Sequence, residues 1–234
     1  MAAPGAPARH PGMAAGAGDL PDNLYSAALM QPASSRQSEQ AQSTLGTRLG
    51  EWLFRHRTVA PLPIALAIVM IPAAESAPGW LTLIGIALIS AGELLRLWAV
   101  RHIGTISRTR SGRLGPLVDS GPFGVVRNPL YIGNLALWTG FAFAARLAWL
   151  APLVIVLLGA EYHAIVLWEE RLLESRFGDA YRDYAGRVPR WSGRWTGVRA
   201  WSAPAFSWSE ALFSERGTLA AVAGGFLLLW LKLR

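Results

Sequence analysis

The apolar residues of this chain gather into long blocks separated by arginine-rich stretches, and that alternation limits the fold more than any other feature. The blocks are Val59–Ala74, Trp80–Val100, residues 129–145, Leu147–Trp168 and Thr218–Leu231. Stretches of this length and polarity predict membrane-spanning helices. A mean hydropathy of +0.29 over 234 residues agrees with that. The expected fold is an all-α, polytopic transmembrane bundle of about four or five membrane helices, with a helical hairpin and a cytoplasmic amphipathic helix. Residues 129–145 extend about 25 Å at ~1.5 Å per residue, slightly less than a bilayer core. Thr218–Leu231 is shorter still and reads either as a marginal span or as a helix lying at the membrane surface.

The net charge is +7. The basic residues flank the apolar blocks instead of forming one polar domain, which disfavours nucleic acid as a partner and favours lipid headgroups and the positive-inside rule. Arg48, Arg55 and Arg57 precede the first block, and Arg101, Arg108, Arg110, Arg113 and Arg127 lie between the second and third. The loop at 75–79 has no Arg or Lys, and only Arg146 separates the third and fourth blocks. This asymmetry predicts a multi-pass protein of the plasma (inner) membrane whose amino terminus, 101–128 loop and 169–216 segment share the cytoplasmic side.

Three regions follow from the same pattern. Residues 1–47, rich in Ala, Gly, Pro, Ser and Gln, are expected to be a disordered cytoplasmic tail. Residues 48–191 are expected to form the membrane core, and 192–234 a Trp-rich segment with a carboxy-terminal membrane helix. The sequence has no cysteine, so disulfides and thiolate chemistry are excluded. The histidines at 10, 56, 102 and 163 have no metal-ligand spacing, and no metal site is expected.

Two polar stretches draw attention. In the first, Asn128 stands at a helix N-cap position with Pro129 at the first helical residue. Arg127 beside that helix end is either a bidentate partner for an anion or a positive-inside anchor. Tyr131 and Asn134 share a face. In the second, Glu161 and His163 lie inside an apolar block, where charge is expensive. Glu169 and Glu170 are either functional carboxylates or the start of a solvated helix face. His163, Leu167, Glu170 and Glu174 share one face. Leu172, Leu173, Phe177, Tyr181 and Tyr184 fit an amphipathic helix over 169–190.

Several short motifs occur in order: Gly121-Pro122-Phe123, Arg127-Asn128-Pro129-Leu130-Tyr131-Ile132-Gly133, Glu169-Glu170-Arg171-Leu172-Leu173, Phe177-Gly178-Asp179-Ala180-Tyr181-Arg182-Asp183-Tyr184 and Arg187-Val188-Pro189. In order and spacing this pattern, over roughly residues 80–191, resembles the isoprenylcysteine carboxyl methyltransferases and the wider group that includes phospholipid methyltransferases. Asn128 stands where that family usually has histidine, and an amide cannot titrate near neutral pH. The resemblance implies a membrane methyltransferase that uses S-adenosylmethionine on a lipid-like or apolar acceptor at a carboxylate, amine or thiol. It implies Arg127, Glu169 and Glu170 as catalytic residues. Cofactor contacts are implied for Arg127, Asn128, Pro129, Tyr131, Gly133, Asn134, His163, Glu169 and Glu170. Membrane lipids and a small lipophilic substrate are the implied partners. An NADPH-dependent membrane reductase of the sterol-reductase type and a non-catalytic scaffold of the same fold are the alternatives. Thermal shift with S-adenosylhomocysteine against NADPH separates the three.

Overall fold

The computed structural model describes residues 48–74, 77–104, 117–193 and 206–234, all within one unit spanning Leu45–Arg234. The expected tail at 1–47 lies outside them, as do parts of the 101–128 loop and of the Trp-rich segment. The described residues are helical, with no strand. A helical stretch at 48–56 precedes α1 (Leu62–Met70). Then come α2 (Trp80–Ile103), a 3-10 turn at Gly121–Gly124, α3 (Pro129–Ala144), α4 (Leu150–Phe177), α5 (Asp179–Arg187) and α6 (Trp208–Lys232).

The all-helical bundle is as expected. Three of its helices, α2, α4 and α6, are long and apolar enough to cross a membrane on their own, at 24, 28 and 25 residues. With 16 residues, α3 reaches about 24 Å. With nine, α1 is far shorter than its apolar block: Pro61 and Pro63 sit at its start and the chain leaves the helix at Ile71, just before Pro72. Proline lacks the N–H that would extend the helix and disfavours helical backbone in the residue before it.

Helix α6 corrects the sequence reading in the other direction. It begins at Trp208, ten residues ahead of its apolar block, because Ser207 and Glu210 form a reciprocal capping box. The Ser207 hydroxyl accepts from the Glu210 N–H, and the Glu210 carboxylate accepts from the Ser207 N–H at 2.7 Å. The start of α6 is docked on the end of α2. Phe206 N–H donates to Arg101 O, Arg101 Nε donates to Phe206 O at 3.2 Å, and the Arg101 guanidinium lies 4.1 Å from the Trp208 ring centroid. Ser207→Ala is expected to cost about 1 kcal/mol of stability, read as a lower midpoint of thermal unfolding in detergent; an unchanged midpoint would show that this end of α6 frays freely.

Helices α2 and α3 cross antiparallel with their backbones in near contact. A Cβ on Gly85 would lie 2.3 Å from Ala144 N and 2.5 Å from Gly140 O, and one on Gly92 would lie 2.7 Å from Gly133 O. Gly133 and Gly140 face back from α3 with equal closeness. Glycines seven apart on each helix therefore form the seam, and small residues are what membrane helices use for close approach.

The hairpin between α3 and α4 closes through a Schellman motif. Leu147 N–H bonds Ala142 O and Arg146 N–H bonds Phe143 O, both at 2.9 Å, with Arg146 in the left-handed region at φ 59°. At the other end of α4, Gly178 (φ 53°) breaks the expected continuous amphipathic helix into the end of α4 and the separate α5. Tyr181 and Tyr184 of α5 are buried against Leu117, Leu173, Phe177 and Val188.

Candidate active site

The site forms where the 3-10 turn, the start of α3, the end of α4 and the segment after α5 meet. Gly121 adopts φ +60°, and a Cβ there would fall 2.5 Å from the His102 ring, so glycine is required for the turn to close over α2. The turn is tied to α5 by Tyr184, whose hydroxyl donates to Phe123 O at 2.8 Å. Beyond α5 the chain returns to α3: Arg127 N–H donates to Pro189 O at 3.0 Å, and Asn128 Nδ2 donates to Arg190 O at 3.2 Å. Asn128 thus occupies the N-cap position, but its side chain does not cap. Its amide tethers the 188–190 segment instead, and Pro129 at the first helical residue has no N–H to be capped.

Glu170 is the centre of charge. It accepts a bidentate pair from Arg190, Nε to Oε1 at 2.9 Å and the terminal nitrogen to Oε2 at 2.6 Å. The Arg127 guanidinium stands 3.0 Å from Oε1. Arg127 also donates to the Tyr181 hydroxyl at 3.5 Å, while its Nε has no hydrogen-bond partner. Burial, with the Glu170 charge adding to it, raises the Tyr181 phenol above its ordinary range, so it stays protonated at neutral pH. The hydrogen bond to Glu170 raises Arg190 further.

These residues line a cleft of about 330 Å³, together with Leu167, Arg171, Glu174, Arg182 and Ala185. Its wall carries four arginines against two glutamates, a balance that favours an anionic group. Leu167, Glu170 and Glu174 lie on the shared α4 face read from the sequence. His163, one turn below on that face, is exposed, and Trp191 Nε1 donates to its Nδ1 at 3.3 Å.

The other expected contacts point deeper into the bundle. The Tyr131 hydroxyl bonds Glu169, and its ring packs on Tyr162 with centroids 5.1 Å apart. Asn134 accepts from Arg96 and bonds the Tyr162 hydroxyl. Pro129 is buried, and Gly133 faces the α2 seam. The site residues therefore fall into two groups. Arg127 and Glu170 line the cleft, with Asn128 bonded to Arg190 O and His163 to Trp191 beside it, while Tyr131, Asn134 and Glu169 form a separate polar layer. The Trp168 ring, next to Glu169, packs on Phe54 with ring centroids 5.0 Å apart.

Sequence reasoning missed Arg190, Trp191 and Tyr181 as site residues. Arg190 lies one position beyond the Arg187-Val188-Pro189 motif, and Tyr181 belongs to the quoted Phe177–Tyr184 motif, so proximity to those motifs was the available signal. Among the described residues, no group of three His, Asp or Glu side chains is placed to hold a metal ion.

With the geometry in place, the comparison with known families is direct. The model of the phospholipid methyltransferase family matches residues 80–180, which run from α2 through α4 into α5 and include Arg127 and Glu170. Over that stretch this chain is similar to the phospholipid methyltransferase family. The resemblance read from the motifs is borne out, and a membrane methyltransferase in general is supported. Two curated relatives are similar. The nickel-cobalt-cadmium resistance protein NccN of Alcaligenes xylosoxydans xylosoxydans is 28% identical over 149 residues, 60% of this chain and 66% of the relative. The cobalt-zinc-cadmium resistance protein CzcN of Cupriavidus metallidurans is 31% identical over 110 residues, 47% of this chain and 46% of the relative. The match thus covers about half to two thirds of each relative's length. No solved structure matches this chain.

Proposed function

We propose that this chain is an integral membrane S-adenosylmethionine-dependent methyltransferase acting on a lipid-like or apolar acceptor. The observation that carries the reading is the Arg127–Glu170–Arg190 cluster lining a cleft, with Arg127 and Glu170 inside the family-matched stretch and Arg190 ten residues beyond it. The residues fit the cofactor's chemistry. Arg127, with an unpartnered buried Nε, and Arg190 suit its carboxylate; Glu170 and Glu174 suit its ammonium. When bound, the cofactor supplies an electrophilic methyl group on a sulfonium. The protein's part is to hold and orient: Glu170 keeps the two guanidinium groups in register, and Glu169, fixed by Tyr131, sets a carboxylate behind them. Alignment of donor and acceptor alone lowers the barrier of a displacement substantially. With Asn128 tethering Arg190 O, the site supplies no titrating base at that position.

The test is calorimetric titration of the purified protein with S-adenosylhomocysteine and, separately, NADPH, followed by transfer of labelled methyl from S-adenosylmethionine to a membrane lipid extract. Binding of the homocysteine product with lipid labelling is expected. NADPH binding alone would support the reductase, and binding of neither the scaffold. Glu169→Gln and Glu170→Gln keep shape and remove charge; at least one is expected to lose affinity or turnover, and full retention by both would assign them to a solvated helix face.

The cleft is assigned to the cytoplasmic side because arginines crowd that end of the bundle. Reporter fusions at residues 77 and 117 are expected to fall on opposite sides of the membrane; the same side for both would sink the topology.

The relatives' names favour one addition, a contribution to nickel, cobalt or cadmium resistance. With no cysteine in the chain, that contribution is assigned to the methylated product. The active protein is then expected to raise tolerance to these cations, and the Glu170→Gln variant to fail to.

A further inference from the structure

A buried polar chain joins α6, which lies beyond the family-matched residues, to the Glu169 carboxylate. Its hub is Arg96 of α2, buried among helices. One terminal nitrogen donates to Asn134 Oδ1 on α3; the other donates to Glu215 Oε2 and, at 3.1 Å, to Thr218 Oγ1, both on α6. Glu93, on the same helix as Arg96, stands 3.5 Å from Nε. The Asn134 side chain, its oxygen held by Arg96, also hydrogen-bonds the Tyr162 hydroxyl. The Tyr162 ring packs on Tyr131, and Tyr131 bonds Glu169. Glu215 itself is 1% exposed.

A buried arginine that loses one carboxylate turns toward another, because an uncompensated charge is costly there. Glu93 is the acid within reach, and a guanidinium drawn to it releases Asn134. We propose that Glu215 is a positioning residue of the methyl-transfer site, acting through Arg96 and Asn134 on the Tyr162–Tyr131 pair and so on the Glu169 carboxylate, a role that rests on the methyltransferase reading above. The family-matched core is then incomplete without the carboxy-terminal helix, which supplies the counter-charge that sets its polar layer.

The experiment is a double-mutant cycle in the full-length protein, with Glu215→Gln and Tyr162→Phe alone and combined, reading S-adenosylhomocysteine affinity and, in 13Cζ-tyrosine-labelled protein, the Tyr162 resonance. Glu215→Gln is expected to move the Tyr162 resonance and to weaken affinity about five-fold or more in the otherwise native protein, but less than about two-fold once Tyr162 is Phe. An equal loss in both backgrounds, or a resonance that does not move, overturns the proposal and leaves Glu215 as an α6 anchor. Should Glu215→Gln fail to fold, Thr218→Val removes the neighbouring α6 hydrogen bond from the same Arg96 nitrogen without removing charge and is read in the same cycle. A native protein that binds no S-adenosylhomocysteine overturns the methyltransferase reading itself, a result distinct from loss of coupling in a protein that binds it.

Discussion

Arg127→Lys is expected to bind S-adenosylmethionine about 10- to 150-fold more weakly, the equivalent of losing one bidentate, charge-assisted contact worth roughly 1.5–3 kcal/mol. The guanidinium already faces Glu170 at 3.0 Å and Tyr181 at 3.5 Å, and its Nε is still unpartnered. A planar fork can serve these groups and a ligand carboxylate at once. Lysine has one point of charge and lacks that fork. If Arg127 merely anchors the chain at the membrane surface or neutralises Glu170, lysine replaces it well. Equilibrium binding on a monodisperse detergent preparation decides between the two. Unchanged affinity in the folded variant would remove the main support for an anion site at the start of α3.

Gly85→Val is expected to destabilise the bundle by roughly 1–3 kcal/mol or more, since added volume in a close-packed seam forces the backbones apart. The atoms that would meet the new Cβ are Ala144 N and Gly140 O, which cannot swing aside as a flexible side chain would. Thermal unfolding in detergent should show a midpoint several degrees lower. Gly159 on α4 is the control, because nothing lies within 4 Å of a Cβ placed there. Gly159→Ala is expected to hold or raise the midpoint, alanine being about 1 kcal/mol the better helix former. A Gly85 variant as stable as the native protein would mean that α2 and α3 slide freely at their crossing.

What the sequence discloses here is mostly local. The apolar blocks mark α2, α3 and α4; Pro129 marks the start of α3; and the single arginine between blocks marks the hairpin turn at Arg146. The ordered motifs locate the cleft because its walls come from those motifs. The length of α1 was hidden because hydropathy does not register proline, and the length of α6 because its first two turns are held by a capping box instead of by apolar residues. Pairings over long separations are not legible at all. Glu93 and Arg96, three apart on one helix, stand close enough to pair, yet Arg96 also reaches Glu215, 119 residues away. Asn128 shows the same limit: its position spells a cap, and only the returning 188–190 segment makes its amide a tether.

The unbroken run of α4 has a consequence for acceptor choice. At 28 residues it is about 42 Å long, some 12 Å more than a bilayer's hydrocarbon thickness. The surplus is the stretch that bears Glu169, Glu170 and Glu174. On the proposed membrane placement, with the apolar part of α4 across the bilayer, this continuous stretch is a depth gauge that sets the cleft at the height of the lipid headgroups. Under the proposed function, an acceptor whose reactive atom rides at that height meets the site while its tail stays dissolved in the bilayer, and one whose reactive atom is sunk among the acyl chains does not.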